Sequence, residues 1–171
     1  QQARLLEHLV ALSGARRVLE IGTLGAYSTI CLARGVGQGG TVVTIEYDAL
    51  HANVARGNLS LAQMEDRVVL LTGAALEVLP RFSGNQPFDF VFIDADKENN
   101  AEYVDWACKL TVPGAVIMVD NVVRDGRILA ADRPEKLEFA KRFASHPNLY
   151  VPTIIQTVGG KGWDGFALAR K

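Results

Sequence analysis

The 171-residue chain has little that oxidises, spans a bilayer or gathers charge of one sign. Cysteine is scarce: only Cys31 and Cys108 occur, both in apolar helical contexts. That excludes a disulfide-stapled secreted scaffold and predicts two reduced core thiols in a cytoplasmic protein. Eighteen Lys and Arg against 19 Asp and Glu leave a net charge of −1, which argues against a broad phosphate-binding surface and so against a nucleic-acid partner. No apolar run approaches the roughly 18 residues of a membrane span, and no charged-then-apolar leader opens the chain, so no membrane partner is expected. A phosphate-cradling G-x-G-x-x-G is missing, as is any Tyr-x-x-x-Lys pair, which leaves a nicotinamide-dependent oxidoreductase without its signature. Histidine is confined to His8, His51 and His146, none of them beside the acidic motifs described below, so zinc is not expected.

What the chain does have is a globular balance, 49% hydrophobic and 22% charged, enough to bury a core in one domain covering residues 1–171. Leu5, Leu6, Leu9, Val10 and Leu12 recur at helical spacing before Ser13-Gly14. From there strands and helices alternate. Arg17 to Ile21 reads as a strand, Tyr27 to Val36 as a helix and Thr41 to Glu46 as a strand. Asp48 reads as the N-cap of a helix reaching about Met64. Val68 to Leu71 is a strand, Ala75 to Phe82 a short helix, Pro87 to Ile93 a strand and Asn99 to Leu110 a helix. Pro113-Gly114 reads as a turn ahead of a strand at Ala115 to Val119. A helix at Pro134 to His146 precedes two last strands, Leu149 to Thr157 and Gly165 to Arg170, joined by a glycine-rich link. Strands separated by helices need crossovers, hence parallel pairing, whereas the short final link calls for an antiparallel hairpin. The expectation is an α/β doubly wound, mostly parallel sheet with an antiparallel last strand, its ligand at the C-terminal strand ends where the order reverses.

Four motifs fall at such ends. Val18-Leu19-Glu20-Ile21-Gly22-Thr23-Leu24-Gly25-Ala26-Tyr27-Ser28 runs a strand through a glycine turn into a helix, where free N–H groups and bare backbone admit a ligand. Glu46 ends the second strand and can accept both ribose hydroxyl hydrogens of a nucleoside. Glu20, ahead of Gly22, suits a cationic ligand better than a pyrophosphate. Phe90-Val91-Phe92-Ile93-Asp94-Ala95-Asp96-Lys97 and Val116-Ile117-Met118-Val119-Asp120-Asn121 place acids just past two further strands. If those strands are neighbours, about 4.8 Å apart, Asp94 and Asp120 converge and need a cation or a proton between them. With the Asn121 carbonyl they make an all-oxygen set suited to Mg2+ or Mn2+. Beside such a cation Lys97 can serve as a general base. Each motif also has a plain reading: an ordinary turn, a solvated strand-end acid, a turn cap at Asp120-Asn121, and a surface lysine paired to Asp94 or Asp96.

Taken together, LEIGT…YS, FIDADK, VDN and the terminal KGWDGFALA resemble the cation-dependent class I O-methyltransferases, the catechol and caffeoyl-coenzyme-A O-methyltransferase family, over Leu5 to Lys171. The resemblance implies the seven-stranded, Rossmann-like sheet of methyltransferases that use S-adenosyl-L-methionine, and a vicinal-diol phenolic small molecule as acceptor. Glu20, Gly22, Thr23, Tyr27 and Ser28 would line the methionine part of the cofactor. Glu46 would hold the ribose, and Gly73, Ala74 and Ala75 would flank the adenine, with Asp94 also at the cofactor. Asp94, Asp120 and Asn121 would ligate Mg2+, with Lys97 as the base. It also implies a homodimer, and family helices ahead of the point where this chain begins. Four positions depart from the family's usual residues: Ala26 in the turn, Asn100 where a tyrosine is common, and Val123-Arg124 where a leucine–tryptophan pair is common. Arg124 and Arg127 stand where they could meet an anionic acceptor or simply be solvated. An RNA-hydroxyl acceptor and a non-catalytic cofactor-binding module remain the other readings.

Overall fold

The structure, a computed structural model, describes residues 2–123, 134–159 and 162–171. Its elements are α1 (Gln2–Ser13), β1 (Arg17–Ile21), α2 (Tyr27–Gly35), β2 (Thr41–Glu46), α3 (Ala49–Leu61), β3 (Val68–Thr72), α4 (Ala75–Val78), β4 (Phe88–Ile93), α5 (Asn100–Leu110), β5 (Thr111–Val119), α6 (Pro134–Ala144), β6 (Tyr150–Gly159) and β7 (Gly162–Arg170). They build one seven-stranded sheet in the order β3-β2-β1-β4-β5-β7-β6. The first five strands pair in parallel. β7 runs antiparallel to both neighbours, β5 and β6. The chain steps outward from β1 to β3 and then returns to β4, so the order reverses between β1 and β4.

Strand side chains alternate between two cores, as the pleat demands. Val18, Val42, Phe90, Phe92, Met118 and Phe166 face α1 and α2, packing with Leu6, Val10, Leu32 and Ala33. Their neighbours Leu19, Ile21, Val43, Ile45, Val91, Ile93, Ile117 and Val119 face α4, α5 and α6, against Val78, Tyr103, Val104, Phe139 and Phe143. A sheet covered on both faces explains why the strands read as nearly continuous apolar runs. Cys31 and Cys108 are both free and buried.

Several boundaries differ from the sequence reading, among them these three. Pro113-Gly114 is not a turn ahead of β5 but lies within it: β5 begins at Thr111, and its register with β4 shifts between Phe88 and Phe90. Turn chemistry is absorbed as a bulge. Gly114, at φ 87°, donates to the Lys171 carbonyl at 2.7 Å, and Lys171 N returns a bond to Ala115 O at 2.9 Å. α3 stops at Leu61, short of Met64, although Asp48 caps its start by accepting from Leu50 N and His51 N. β7 begins at Gly162 because its pairing with β6 continues to Gly159 opposite Gly162.

α1 lies against α2 at a glycine. A Cβ on Gly35 would stand 2.7 Å from the Glu7 carbonyl oxygen and 2.9 Å from the Val10 Cβ. Helix propensity alone favours alanine over glycine by roughly 0.5–1 kcal/mol. Here the crowding should reverse the sign: Gly35→Ala is expected to destabilise by about 1–3 kcal/mol, read as a lower urea midpoint. An unchanged or raised midpoint would show that α1 does not approach α2 this closely.

Candidate active site at the switch point of the sheet

The parallel hydrogen-bond ladder continues one residue past the strands. Gly73 N donates to Glu46 O (2.8 Å), Gly22 N to Ile45 O (2.9 Å), Asp94 N to Ile21 O (2.9 Å) and Asp120 N to Ile93 O (2.9 Å). Glu46, Gly22, Asp94 and Asp120 therefore stand in one row along the C-terminal edge, level with Thr72, and Gly73 follows one residue beyond. Gly22 sits at φ 96°, and a Cβ there would collide with the Asp94 carbonyl. Only glycine lets β1 turn off this close to β4.

Glu46 fixes the turn that follows β1. Its Oε2 accepts from Thr23 N (3.1 Å) and Leu24 N (2.7 Å), and its Oε1 from Asp48 N (2.9 Å). Asn58 Nδ2 adds a bond to Gly25 O at 2.9 Å. The turn holds two non-glycine residues in the left-handed region, Leu24 at φ 49° and Ala26 at φ 65°. Ala26 is fully buried, so a methyl occupies a conformation that glycine adopts freely.

Glu20 lies under this turn and not in the cavity wall. It is completely buried. Its Oε2 accepts from Thr29 Oγ1 (2.5 Å) and Thr44 Oγ1 (2.7 Å), while Oε1 has no hydrogen-bond partner. Burial, opposed by hydroxyl hydrogen bonds and assisted by the Asp94 charge, pushes its carboxyl up to about 7.

Asp94 and Asp120 end adjacent strands, as the sequence expects. Burial, with the nearby charge of Asp94, raises Asp120 to about 6. Lys97 Nζ stands 3.0 Å from Asp94 Oδ1 and 3.2 Å from the Asp120 carbonyl oxygen, so a cation already sits on the acidic corner. Asn121, at φ 56°, donates from Nδ2 to Asp164 Oδ2 at 3.1 Å. Among the described residues no three His, Cys, Asp or Glu side chains are placed to hold a metal ion together; the available set is two carboxylates and an amide.

A cavity of about 1010 Å³ opens along this row. Of the residues singled out from sequence, Gly22, Thr23, Tyr27, Ser28, Glu46, Gly73, Ala74, Ala75, Asp94 and Asp120 line it. Glu20, Lys97 and Asn121 are not among the lining residues. Arg124 and Arg127 lie outside the described residues. Sequence reasoning missed a polar group on the same wall: Asp96 accepts from Tyr103 Oη and from Asn99 Nδ2, each at 2.5 Å, and all three residues line the cavity. Part of the signal was present, because Asp96 lies inside FIDADK, in the loop just ahead of the helix that carries Tyr103. Burial and the Asp96 contact push the Tyr103 phenol well above its ordinary range.

The fold and site define an α/β enzyme with a small-molecule pocket at its switch point, and the whole chain, residues 1–171, matches the O-methyltransferase family. The chain belongs to that family. It is 56% identical to a catechol O-methyltransferase of Mycobacterium tuberculosis, over 99% of this chain and 78% of the relative. An O-methyltransferase from Bacillus cereus in complex with SAH superposes with a TM-score of 0.93 at 48% identity, covering 99% of this chain and 80% of that one. TomG, an O-methyltransferase from Streptomyces achromogenes involved in tomaymycin synthesis and solved in complex with SAM, gives 0.93 at 44% identity, covering 99% and 78%.

The raised Glu20 carboxyl makes stability depend on pH. The folded protein holds this proton more tightly than the unfolded chain, whose value is near 4.5. Its stabilising contribution is therefore complete below about 4.5 and is lost as pH rises through about 7. Glu20→Gln keeps an acceptor for the threonines and cannot ionise. Its melting temperature is expected to fall less than that of the wild type between pH 5 and pH 8.5, and parallel curves would refute a neutral Glu20.

Proposed function

We propose that the chain methylates one hydroxyl of a vicinal-diol phenol, using S-adenosylmethionine and a divalent cation, Mg2+ or Mn2+. The observation that carries this reading is the row of strand ends that sets Glu46 and Gly22 beside Asp94 and Asp120 along one cavity. The relatives bound to SAH and SAM support the cofactor, and the name of the 56% identical relative supports a catechol acceptor.

The residues fit both groups. Glu46 spends its oxygens on three backbone N–H groups, yet a carboxylate has about four lone-pair sites, which leaves room for a ribose hydroxyl. Gly22 has the bare backbone that close approach requires. The acid pair fits a hard cation, because burial makes the second negative charge costly and two carboxylates with an amide oxygen form the donor set such ions prefer. Asp94, Asp120 and Asn121 would hold the ion, which when bound supplies Lewis-acid acidification of a substrate hydroxyl.

The chain's own work is positioning and proton transfer. Lys97 Nζ, held between Asp94 Oδ1 and Asp120 O, must first give up its own proton and then takes the one from the acceptor hydroxyl. The acceptor oxygen forms the new O–CH3 bond as the C–S bond of the sulfonium breaks, leaving a neutral thioether. Opposite charges cancel in that step, so alignment within the cavity carries the rate. Two buried free thiols support a reducing compartment, and no helix among the described residues is long and apolar enough to cross a membrane.

A methyl-transfer assay over catechols, caffeoyl thioesters and RNA, with and without Mg2+, tests the reading. The expected result is transfer to a catechol that chelator abolishes. Chelator-resistant transfer, or transfer to RNA alone, would contradict it. Asp94→Ala is expected to cost at least about 100-fold in kcat/KM and to remove the metal response. For Lys97→Ala the expected loss is about 10²–10⁴-fold in kcat with S-adenosylhomocysteine affinity retained. Equal turnover at neutral pH would show that no lysine base is needed.

A further inference from the structure

Asp164 lies in the terminal KGWDGFALA segment but has no role in the site described so far. It lies near the start of β7, two residues past Gly162. That strand is pressed onto the loop after β5 as closely as backbone allows. Val122 N donates to Gly165 O at 2.9 Å, and a Cβ on Gly165 would run into the Ile155 carbonyl and the Val123 side chain. Asp164 Oδ1 accepts from Gly165 N at 2.8 Å, and its Oδ2 accepts from Asn121 Nδ2 at 3.1 Å. The Asp-Gly pair of β7 thus grips the Asp-Asn pair that follows β5.

We infer that Asp164 is a positioning residue for the divalent ion: by accepting from Asn121 Nδ2 it fixes which fork of that amide is left to face the ion as an oxygen. This rests on the metal reading proposed above. A primary amide has one donor and one acceptor fork of nearly equal shape, so only its partners decide which way it sits. An ionised carboxylate is acceptor-only, so it can face only the NH2 fork. An asparagine at position 164 would not make that choice. Its carbonyl oxygen would be drawn to Gly165 N, its own NH2 would confront the NH2 of Asn121, and the Asn121 amide would have to turn over and offer a donor to a cation. The Asp164 charge also adds to the burden on buried Asp120.

The test is direct Mn2+ binding to the whole chain, read from the free-ion electron paramagnetic resonance signal, alongside S-adenosylhomocysteine binding and melting temperature. Outer partners of metal ligands typically carry 10–100-fold in affinity. Asp164→Asn is therefore expected to weaken Mn2+ by about that factor while leaving S-adenosylhomocysteine affinity and melting temperature near wild type. Turnover should recover at saturating Mn2+, so that the metal requirement rises and kcat changes little. The double variant Asn121→Asp/Asp164→Asn reverses the polarity of the pair, placing an NH2 donor at 164 against a carboxylate at 121. It is expected to regain Mn2+ affinity relative to Asp164→Asn alone. Wild-type affinity in Asp164→Asn, or no recovery in the double variant, would overturn the assignment. So would unfolding of both variants, which would mark the contact as purely structural. Absence of Mn2+ binding to the wild type would instead defeat the metal reading itself, a separate outcome.

Discussion

The site depends on a single constraint, the level that four adjacent parallel strands, β2, β1, β4 and β5, share at their C-terminal ends. Ile21 pairs with both Ile45 and Ile93, and Ile93 with Val119, so the next residue of each strand falls in one row. The bonds Gly22 N–Ile45 O, Asp94 N–Ile21 O and Asp120 N–Ile93 O extend the ladder through that row. A one-residue slip of β4 or β5 would do two things at once. It would turn Phe90, Phe92 and Met118 out of their core, and it would carry Asp94 or Asp120 away from its partner. The apolar burial that sets the register thereby also sets the distance between the two acids.

Three carboxylates at this edge show how neighbours decide a group's role. Glu46 is almost as buried as Glu20, yet its oxygens accept from three backbone N–H groups and organise the turn around it. Glu20 has two hydroxyls and one empty oxygen, and burial favours its neutral form. Asp120 lies between these, burdened first by burial and then by Asp94 and Asp164, and relieved by the Asn121 backbone N–H and by Lys97. The corner is acidic and incompletely neutralised, with Lys97 as its counter-charge.

Most of this was legible in the chain. Apolar runs ending at Gly22, Glu46, Asp94 and Asp120 announced parallel strands and the edge where they stop, because burial on both faces keeps such strands mostly apolar up to their ends. What escaped were effects of pairing partners remote in sequence. Pro113-Gly114 looks like a turn locally, but the chain terminus at Lys171 pairs alongside it and draws it into β5. Glu20 sits in a glycine motif that suggests ligand contact, and only the threonines beneath it, Thr29 and Thr44, show that it faces inward. Asp164 lies in the KGWDGFALA segment, but that segment does not show its partner, Asn121, 43 positions away.

Crystals of the whole chain grown with Mn2+ and S-adenosylhomocysteine test the account most directly, through anomalous scattering that locates the ion independently of any fitted coordinates. The account predicts one strong peak within coordinating distance of oxygens from Asp94, Asp120 and Asn121, beside a nucleoside whose ribose meets Glu46. A fully loaded crystal with its manganese peak elsewhere, and those three side chains turned away from one another, would contradict it.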